Sequence, residues 1–309
     1  MKLVFFGTPD FAVPTLDALH DSSHEILGVV TSPDKRSGRG LKVKPSAIKI
    51  SAEKYGLPIY QPESTGSKQL NSILKQINPD IYVVVAYKIL PESILNIPHR
   101  GAVNLHASLL PKYRGAAPVN HAILNGETET GLTTFMIQKK VDTGDLLLQQ
   151  SLQIDNSVTT GEALSKLSFI GADLIIKTLD ALAQNKIKPL KQDSAKATFA
   201  PKISVQDCKI NWTNPALVIH NQIRAFSPKP GAFTFYNKKR VKLFGSKVLQ
   251  NLQYTKLLPG EIEYTNSIFK IGTGSEPIQI TKIQIEGKKK LSVDKFILGF
   301  PKITGGCFD

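Results

Sequence analysis

Three side chains in this sequence form a complete set for moving protons and steadying a developing negative charge. Asn104 and His106 stand two residues apart in the run Gly101–Pro111, and Asp142 lies in Val141-Asp142-Thr143-Gly144-Asp145. Residues two apart on a strand point to the same face, so Asn104 and His106 project together near the strand's carboxyl end. In open α/β sheets ligands bind at that end. A turn between two strand-like runs returns Asp142 toward His106. A carboxylate orients an imidazole, the imidazole moves protons, and an amide donates to an oxyanion. Each piece alone also reads as structure: a hydrogen-bonded histidine beside a turn asparagine, and an ordinary D-T-G-D hairpin turn. No Ser or Cys stands in the nucleophile's place, so the attacking group belongs to a substrate.

Other common chemistries lack their signatures. The first strand runs into Gly7, yet the next glycine is Gly28, so the G-x-G-x-x-G of dinucleotide binding is missing. No G-x-x-x-x-G-K-[ST] loop, G-x-S-x-G elbow or H-E-x-x-H helix occurs. Cys208 and Cys307 are the only cysteines, and His20, His24, His99, His121 and His220 show no ligand spacing, so neither a disulfide framework nor a metal is expected. The apolar start Leu3-Val4-Phe5-Phe6 is too short for a signal peptide, and no run reaches membrane-spanning length. A reducing cytoplasm fits that composition.

The elements that must position these groups alternate. Lys2–Phe6, Ile26–Val30, Ile81–Val85 and Ala102–Leu105 are short apolar runs separated by segments with helical spacing. Such alternation predicts a mostly parallel sheet covered by helices. A first helix is expected from Pro14 to His20, strands at Leu132–Gln138 and Leu146–Gln153, and a long helix at Thr160–Gln184. From Lys186 to Lys209 the pattern turns polar and aperiodic. We therefore expect a domain over residues 1–188, a linker over 189–208 and a second domain over 209–309. In the last part Asn214-Pro215 opens a helix to Phe226, followed by strands at Ala232–Tyr236, Arg240–Leu249, Glu261–Tyr264, Ile268–Ile271 and Ile278–Ile285. These predict a small, mostly antiparallel barrel of the oligonucleotide-binding kind.

Charge separates the two halves as well. Residues 1–200 hold 22 basic and 18 acidic side chains, while residues 201–309 hold 17 and 7, leaving +4 and +10. Such an asymmetry points the C-terminal part at a polyanion. Lys238-Lys239-Arg240, Lys242 and Lys288-Lys289-Lys290 supply much of it. Asp34–Lys44 packs five basic residues and two glycines into a segment read as a loop.

Ser108-Leu109-Leu110-Pro111 followed by Tyr113-Arg114-Gly115-Ala116-Ala117-Pro118, the Asn104-x-His106 pair and Asp142-Thr143-Gly144 together resemble the folate-dependent formyltransferases. The likeness runs from Phe5-Phe6-Gly7-Thr8-Pro9-Asp10-Phe11-Ala12 to Ile223-Arg224-Ala225-Phe226-Ser227-Pro228. It implies a Rossmann-like domain that binds 10-formyltetrahydrofolate and a C-terminal barrel that helps to hold a tRNA. Within the family, the chain is most similar to the branch whose acceptor is the α-amine of initiator methionyl-tRNA, in support of translation initiation. The resemblance further implies a monomer.

By matching motif, Asn104 bonds the formyl oxygen, His106 in its charged form assists the oxyanion or shuttles protons, and Asp142 holds the ring. The same match places the folate at Val84, Ala86, Tyr87 and Leu90 and at Ser108, Leu109, Leu110 and Pro111. One departure stands out: where the family reads A-Y-G-x-I-L-P, this chain reads Ala86-Tyr87-Lys88-Ile89-Leu90-Pro91, one residue shorter and without the glycine. The basic segment matches a tRNA-contacting insertion, with Arg36, Arg39, Lys42 and Lys44 on the acceptor end. Sugar-nucleotide and glycinamide-ribonucleotide formyltransferases and a formyltetrahydrofolate hydrolase share the Asn-His-Asp set. A catalytically silent RNA-binding protein of the same fold is the alternative from another class.

Overall fold

The structure, a computed structural model, describes residues 1–37, 42–249, 257–301 and 303–309. Its elements begin β1 (Lys2–Gly7), α1 (Val13–His20), β2 (Glu25–Val30), β3 (Lys35–Ser37), β4 (Lys42–Lys44), α2 (Ala47–Lys54), β5 (Ile59–Tyr60), α3 (Lys68–Ile77), β6 (Ile81–Val85), α4 (Glu92–Leu95) and β7 (Ala102–His106). They continue with β8 (Arg114–Gly115), α5 (Pro118–Leu124), β9 (Glu129–Met136), β10 (Leu146–Gln153) and α6 (Thr160–Ala183). After these come β11 (Phe199–Ala200), α7 (Ala216–Ala225), β12 (Ala232–Tyr236), β13 (Lys239–Val248), β14 (Ile262–Thr265), β15 (Ile268–Ile271), β16 (Ile278–Ile285), β17 (Leu291–Ser292) and α8 (Val293–Leu298). The backbone divides into two units. One comprises Met1–Pro118, Thr130–Leu152 and Leu164–Phe199, and the other Val119–Glu129, Gln153–Ala163 and Ala200–Asp309.

The first unit is a Rossmann-like α/β structure built on a sheet of order β10-β9-β7-β6-β1-β2-β5. β1 pairs in parallel with β2 and β6, β2 with β5, and β6 with β7, while β9 runs antiparallel to β7. Leu3 to Phe6 and Ile81 to Val85 are buried without interruption, because both faces of these strands are covered. Phe6, Leu70, Leu74, Tyr82 and Ile94 pack into one apolar cluster. α2 and α3 start where Ser46 Oγ and Ser67 Oγ accept from the Lys49 and Leu70 N–H groups. α3 stops where Asn78 takes a left-handed φ of 47°, a conformation asparagine tolerates. The chain lays β2 and β5 on one side of β1 and then β6 and β7 on the other. The strand order therefore reverses between β1 and β6, whose ends Gly7 and Val85 are register partners. Crevices at such reversals receive ligands.

The second unit holds an antiparallel sheet of order β12-β13-β16-β15-β14, with β17 beside β16. Ile278, Ile280, Ile283 and Ile285 turn inward, as alternation requires of a strand with one wet face. β13 shifts register against β16 around Gly245; such bulges bend long strands, the device small barrels use. Asn237 and Lys238, at φ 48° and 64°, make the turn between β12 and β13. α7 opens one residue beyond Pro215. Its first amide, Ala216 N, donates to Ser275 Oγ at 2.9 Å, so the cap comes from a distant loop and not from Asn214.

His220 on α7 is buried and bonded through both ring nitrogens. Its Nε2 lies 2.6 Å from the Asn156 carbonyl and its Nδ1 2.9 Å from Ser246 Oγ, which suits a neutral ring that donates through Nε2 and accepts through Nδ1. Burial pushes the imidazole below its ordinary range, outweighing the Asn156 bond, and the Arg224 charge adds to the push. His24, in the first unit, is lowered too, by burial first and then by the N-terminal amine. Groups that bind protons more weakly when folded cost stability as pH falls below their unfolded value of about 6.5. The melting temperature is expected to fall on acidification from about pH 7 to about pH 5.5, and His220→Gln to make that slope shallower. Equal slopes in both proteins would detach the acid response from His220.

Candidate active site

β7 carries Asn104 and His106, and its ladder fixes both. Asn104 is the register partner of Val84 on one side and Phe135 on the other, and His106 is the partner of Thr133. Both side chains sit on one face at the carboxyl end of the strand, one strand away from the reversal point. Asn104 is half-buried, and His106 is 8% exposed.

The His106 ring is held by backbone. Nε2 donates to the Tyr113 carbonyl at 2.9 Å, a carbonyl that can only accept, and the ring meets Phe135 edge-on at 6.5 Å. That leaves Nδ1 as the free ring nitrogen. It faces Asp142 Oδ2 at 3.9 Å, close enough for charge to act and too far for a hydrogen bond. The same Oδ2 accepts from Gly115 N at 2.8 Å, which explains the gap: Asp142 anchors the loop that anchors the ring. Three residues around the crevice carry left-handed φ angles, Ala86 at 49°, Tyr113 at 58° and Asp142 at 54°. Such conformations cost roughly 1–3 kcal/mol each outside glycine and persist where surrounding contacts enforce them.

The residues expected to hold a folate occupy two places. Val84 and Leu90 pack in the apolar cluster with Phe6 and Tyr82, with Tyr87 against it, so the side chains of Val84 and Leu90 are committed to the core. Ala86 is exposed just past the end of β6. The Tyr87 hydroxyl is buried without a hydrogen-bond partner, and burial pushes its pKa up to about 12. The Tyr87 ring packs edge-on against Phe6 with centroids 5.6 Å apart, an apolar wall of the kind a flat heterocycle stacks beside. Ser108, Leu109, Leu110 and Pro111 form the turn that leaves β7. Ser108 Oγ donates to the Lys112 carbonyl at 2.7 Å. Thr133 Oγ1 donates to the Ser108 carbonyl and accepts from Leu110 N, and Gln149 Nε2 donates to the Leu110 carbonyl. Ser108 is thus committed to the turn's own geometry.

In the basic segment read as a loop, the described residues 35–37 and 42–44 pair as two antiparallel strands, Lys35 with Lys44, Arg36 with Val43 and Ser37 with Lys42. Its foot is fixed because Asp34 accepts from Lys49 Nζ and Gln61 Nε2, both at 2.7 Å. Lys49 first, and Gln61 second, hold the Asp34 carboxyl below the usual range. Lys44 is exposed. Arg39 lies outside the described residues, as do the side chains of Arg36 and Lys42. Among the described residues no cluster of His, Cys, Asp and Glu could hold a metal ion, and no helix is long and apolar enough to cross a membrane.

Sequence reasoning gave no role to Tyr113, Arg114, Thr198 or Gln192. Tyr113 N donates to Thr198 Oγ1, Arg114 N to the Thr198 carbonyl, and the Arg114 guanidinium to Gln192 Oε1. Arg114 stood in a recognisable motif, whereas Gln192 and Thr198 lie in the aperiodic stretch, where nothing marked them.

The family model "Formyl transferase" matches residues 1–179, and "Formyl transferase, C-terminal domain" matches 202–301. The chain is 41% identical over 311 residues to the methionyl-tRNA formyltransferase of Moorella thermoacetica, covering 99% of this chain and 100% of that one. It is 42% identical to that of Caldanaerobacter subterraneus subsp. tengcongensis, with 97% of each covered. Among solved structures, WlaRD, a sugar 3N-formyl transferase crystallised with dTDP and 5-N-formyl-THF, superposes with a TM-score of 0.70 at 22% identity, over 94% of this chain and 99% of that one. The methionyl-tRNA formyltransferase from Clostridium thermocellum superposes with a TM-score of 0.57 at 17% identity, over 82% and 95%. With family models matching over most of its length and relatives alike along their full length, the chain belongs to the methionyl-tRNA formyltransferase family.

Proposed function

We propose that Asn104, His106 and Asp142 are the chemical groups of formyl transfer from 10-formyltetrahydrofolate to initiator methionyl-tRNA, in the cytoplasm and by a monomer. As a member of its family, the chain is an enzyme that moves a formyl group from a folate donor to the α-amine of methionine carried on tRNA. The observation that carries the residue assignment is the placement of Asn104 and His106 on one strand face, with the Asp142 carboxylate 3.9 Å from His106 Nδ1.

The donor supplies the formyl carbon on N10; the chain supplies the rest. The Asn104 amide donates to the formyl oxygen as negative charge develops there. His106, anchored through Nε2, exchanges protons at Nδ1, between the attacking amine and the leaving nitrogen. Asp142 steadies the imidazolium by its charge. Ala86, Tyr87 and the turn Ser108–Pro111 hold the folate, with Val84, Leu90, Leu109 and Leu110 as their apolar support. No step in this scheme calls for a metal.

In this reading residues 1–188 carry the reacting groups, 189–208 join the two domains and lend Gln192 to the loops of Asp142 and Arg114, and 209–309 contact the tRNA backbone, as do Arg36, Arg39, Lys42 and Lys44. Exposed Lys238, Lys239 and Lys289 serve phosphates in the second unit. Arg240 lies against Phe233, 4.4 Å from its centroid, and Lys242 Nζ is bonded to the Pro230 carbonyl. Binding through phosphates weakens steeply with salt. The triple change Lys238→Glu, Lys239→Glu, Lys289→Glu is expected to raise KM for methionyl-tRNA on the order of tenfold at moderate salt and to flatten its salt dependence, with kcat unchanged. An unchanged KM would remove this face from the tRNA site. Measured side by side, methionyl-tRNA is expected to be formylated in strong preference to an amino-sugar nucleotide or glycinamide ribonucleotide; the opposite preference would move the chain to another branch.

A further inference from the structure

We propose that Gln192 is a positioning residue for proton transfer, setting the place of Asp142 beside His106; the inference rests on the functional reading above. One amide side chain joins the two loops that hold the pair. Its Nε2 donates to the Asp142 carbonyl at 3.0 Å and to the Gly144 carbonyl at 2.7 Å. Its Oε1 accepts from Arg114 Nε at 3.1 Å and Nη2 at 2.7 Å. The orientation has no alternative, since backbone carbonyls only accept and a guanidinium only donates.

The partners show what this bridge controls. Three consecutive residues reach the site: the Tyr113 carbonyl holds His106, the Arg114 guanidinium holds Gln192, and Gly115 N holds Asp142. Gln192 closes the circuit from Arg114 back to the backbone of Asp142. The Asp142 loop needs such a hold. Asp142 sits at a φ of 54°, and the loop's own bonds, from Thr143 Oγ1 at 2.8 Å and Thr143 N at 3.4 Å, both go to the Lys140 carbonyl and leave the Asp142 and Gly144 carbonyls to Gln192. Gly144 is pressed against β9, where an added Cβ would stand 1.6 Å from the Met136 carbonyl oxygen. Two backbone bonds between Leu190 and Leu146, of 2.8 and 2.9 Å, bring Gln192 to its place. Arg114 is buried, so the circuit closes around a fixed charge.

Displacements near 1 Å can cost on the order of 10²-fold in rate. The test measures kcat, both KM values and the melting temperature for Gln192→Met and Gln192→Glu, each alone and combined with Asp142→Asn. Gln192→Met is expected to lower kcat on the order of 10–100-fold with both KM values within about twofold. Gln192→Glu keeps acceptors for Arg114 and loses the donors to Asp142 and Gly144, so it should fall as far. In the Asp142→Asn background either change should cost less than about twofold, because residues acting as a unit are not additive. Full additivity, wild-type kcat in Gln192→Glu, or a loss confined to KM would overturn the proposal. Should Gln192→Met fail to fold, Gln192→Glu carries the same comparison. If Asp142→Asn itself keeps full kcat, the reading of the site fails and takes this inference with it. If Asp142→Asn collapses while the Gln192 variants stay active, the inference fails alone.

Discussion

His106→Ala is expected to lower kcat for formyl transfer by about 10²–10⁴-fold, the span a positioned proton carrier contributes. The expectation rests on which ring nitrogen is free. Nε2 is spent on the Tyr113 carbonyl, and Nδ1 stands 3.9 Å from Asp142 Oδ2. The change also removes the ring's hydrogen bond to the Tyr113 carbonyl, a net loss of about 0.5–1.5 kcal/mol. A melting temperature lower by several degrees would therefore accompany the kinetic loss without explaining it. KM for the folate donor should stay near wild type, since the ring carries out chemistry and not ground-state binding. A variant that keeps kcat within about tenfold would take His106 out of the proton path.

Asn104→Ala is expected to cost about 10²–10³-fold in kcat, the value of one preorganised oxyanion donor. Its strand gives the experiment a clean background. The ladder to Val84 and Phe135 runs through backbone, so truncating the side chain leaves β7 in place and the melting temperature near wild type. Asn104→Asp sharpens the test, because it keeps the shape and sets a negative charge where the oxyanion must form. It should be at least as impaired as alanine. If aspartate retained more activity than alanine, the residue would be filling space and not donating to an oxyanion.

The sheet and the pair on β7 were legible in the sequence, and for the same reason. Strands buried on both faces are written as continuous apolar runs, so Leu3–Phe6 and Ile81–Val85 declared themselves. A polar residue at alternate positions of such a run, as in Val103-Asn104-Leu105-His106, stands out against it. The strands of the second unit followed equally from the alternation of Ile278–Ile285 and from the turn at Asn237-Lys238. The ribbon at Lys35–Ser37 and Lys42–Lys44 did not, because Val43 is its one apolar residue and gives no hydrophobic period; its foot is set by Lys49 and Gln61, which lie beyond the ribbon. The hold on the His106 ring was hidden too. A sequence can nominate the Asp142 carboxylate as its partner, whereas the Tyr113 carbonyl is backbone, and any residue has one. Gln192 escaped because its stretch is aperiodic and its meaning lies wholly in four bonds to Arg114, Asp142 and Gly144.

The central claim is that the Asn104, His106 and Asp142 constellation transfers a formyl group to the amine of methionyl-tRNA. The direct measurement is transfer of labelled formyl from 10-formyltetrahydrofolate to methionyl-tRNA, with free methionine and uncharged tRNA as controls and His106→Ala alongside. The structure predicts label on methionyl-tRNA alone, carried by the amine and almost abolished in the variant. Folate turnover without transfer, or label arriving equally fast in His106→Ala, would contradict it.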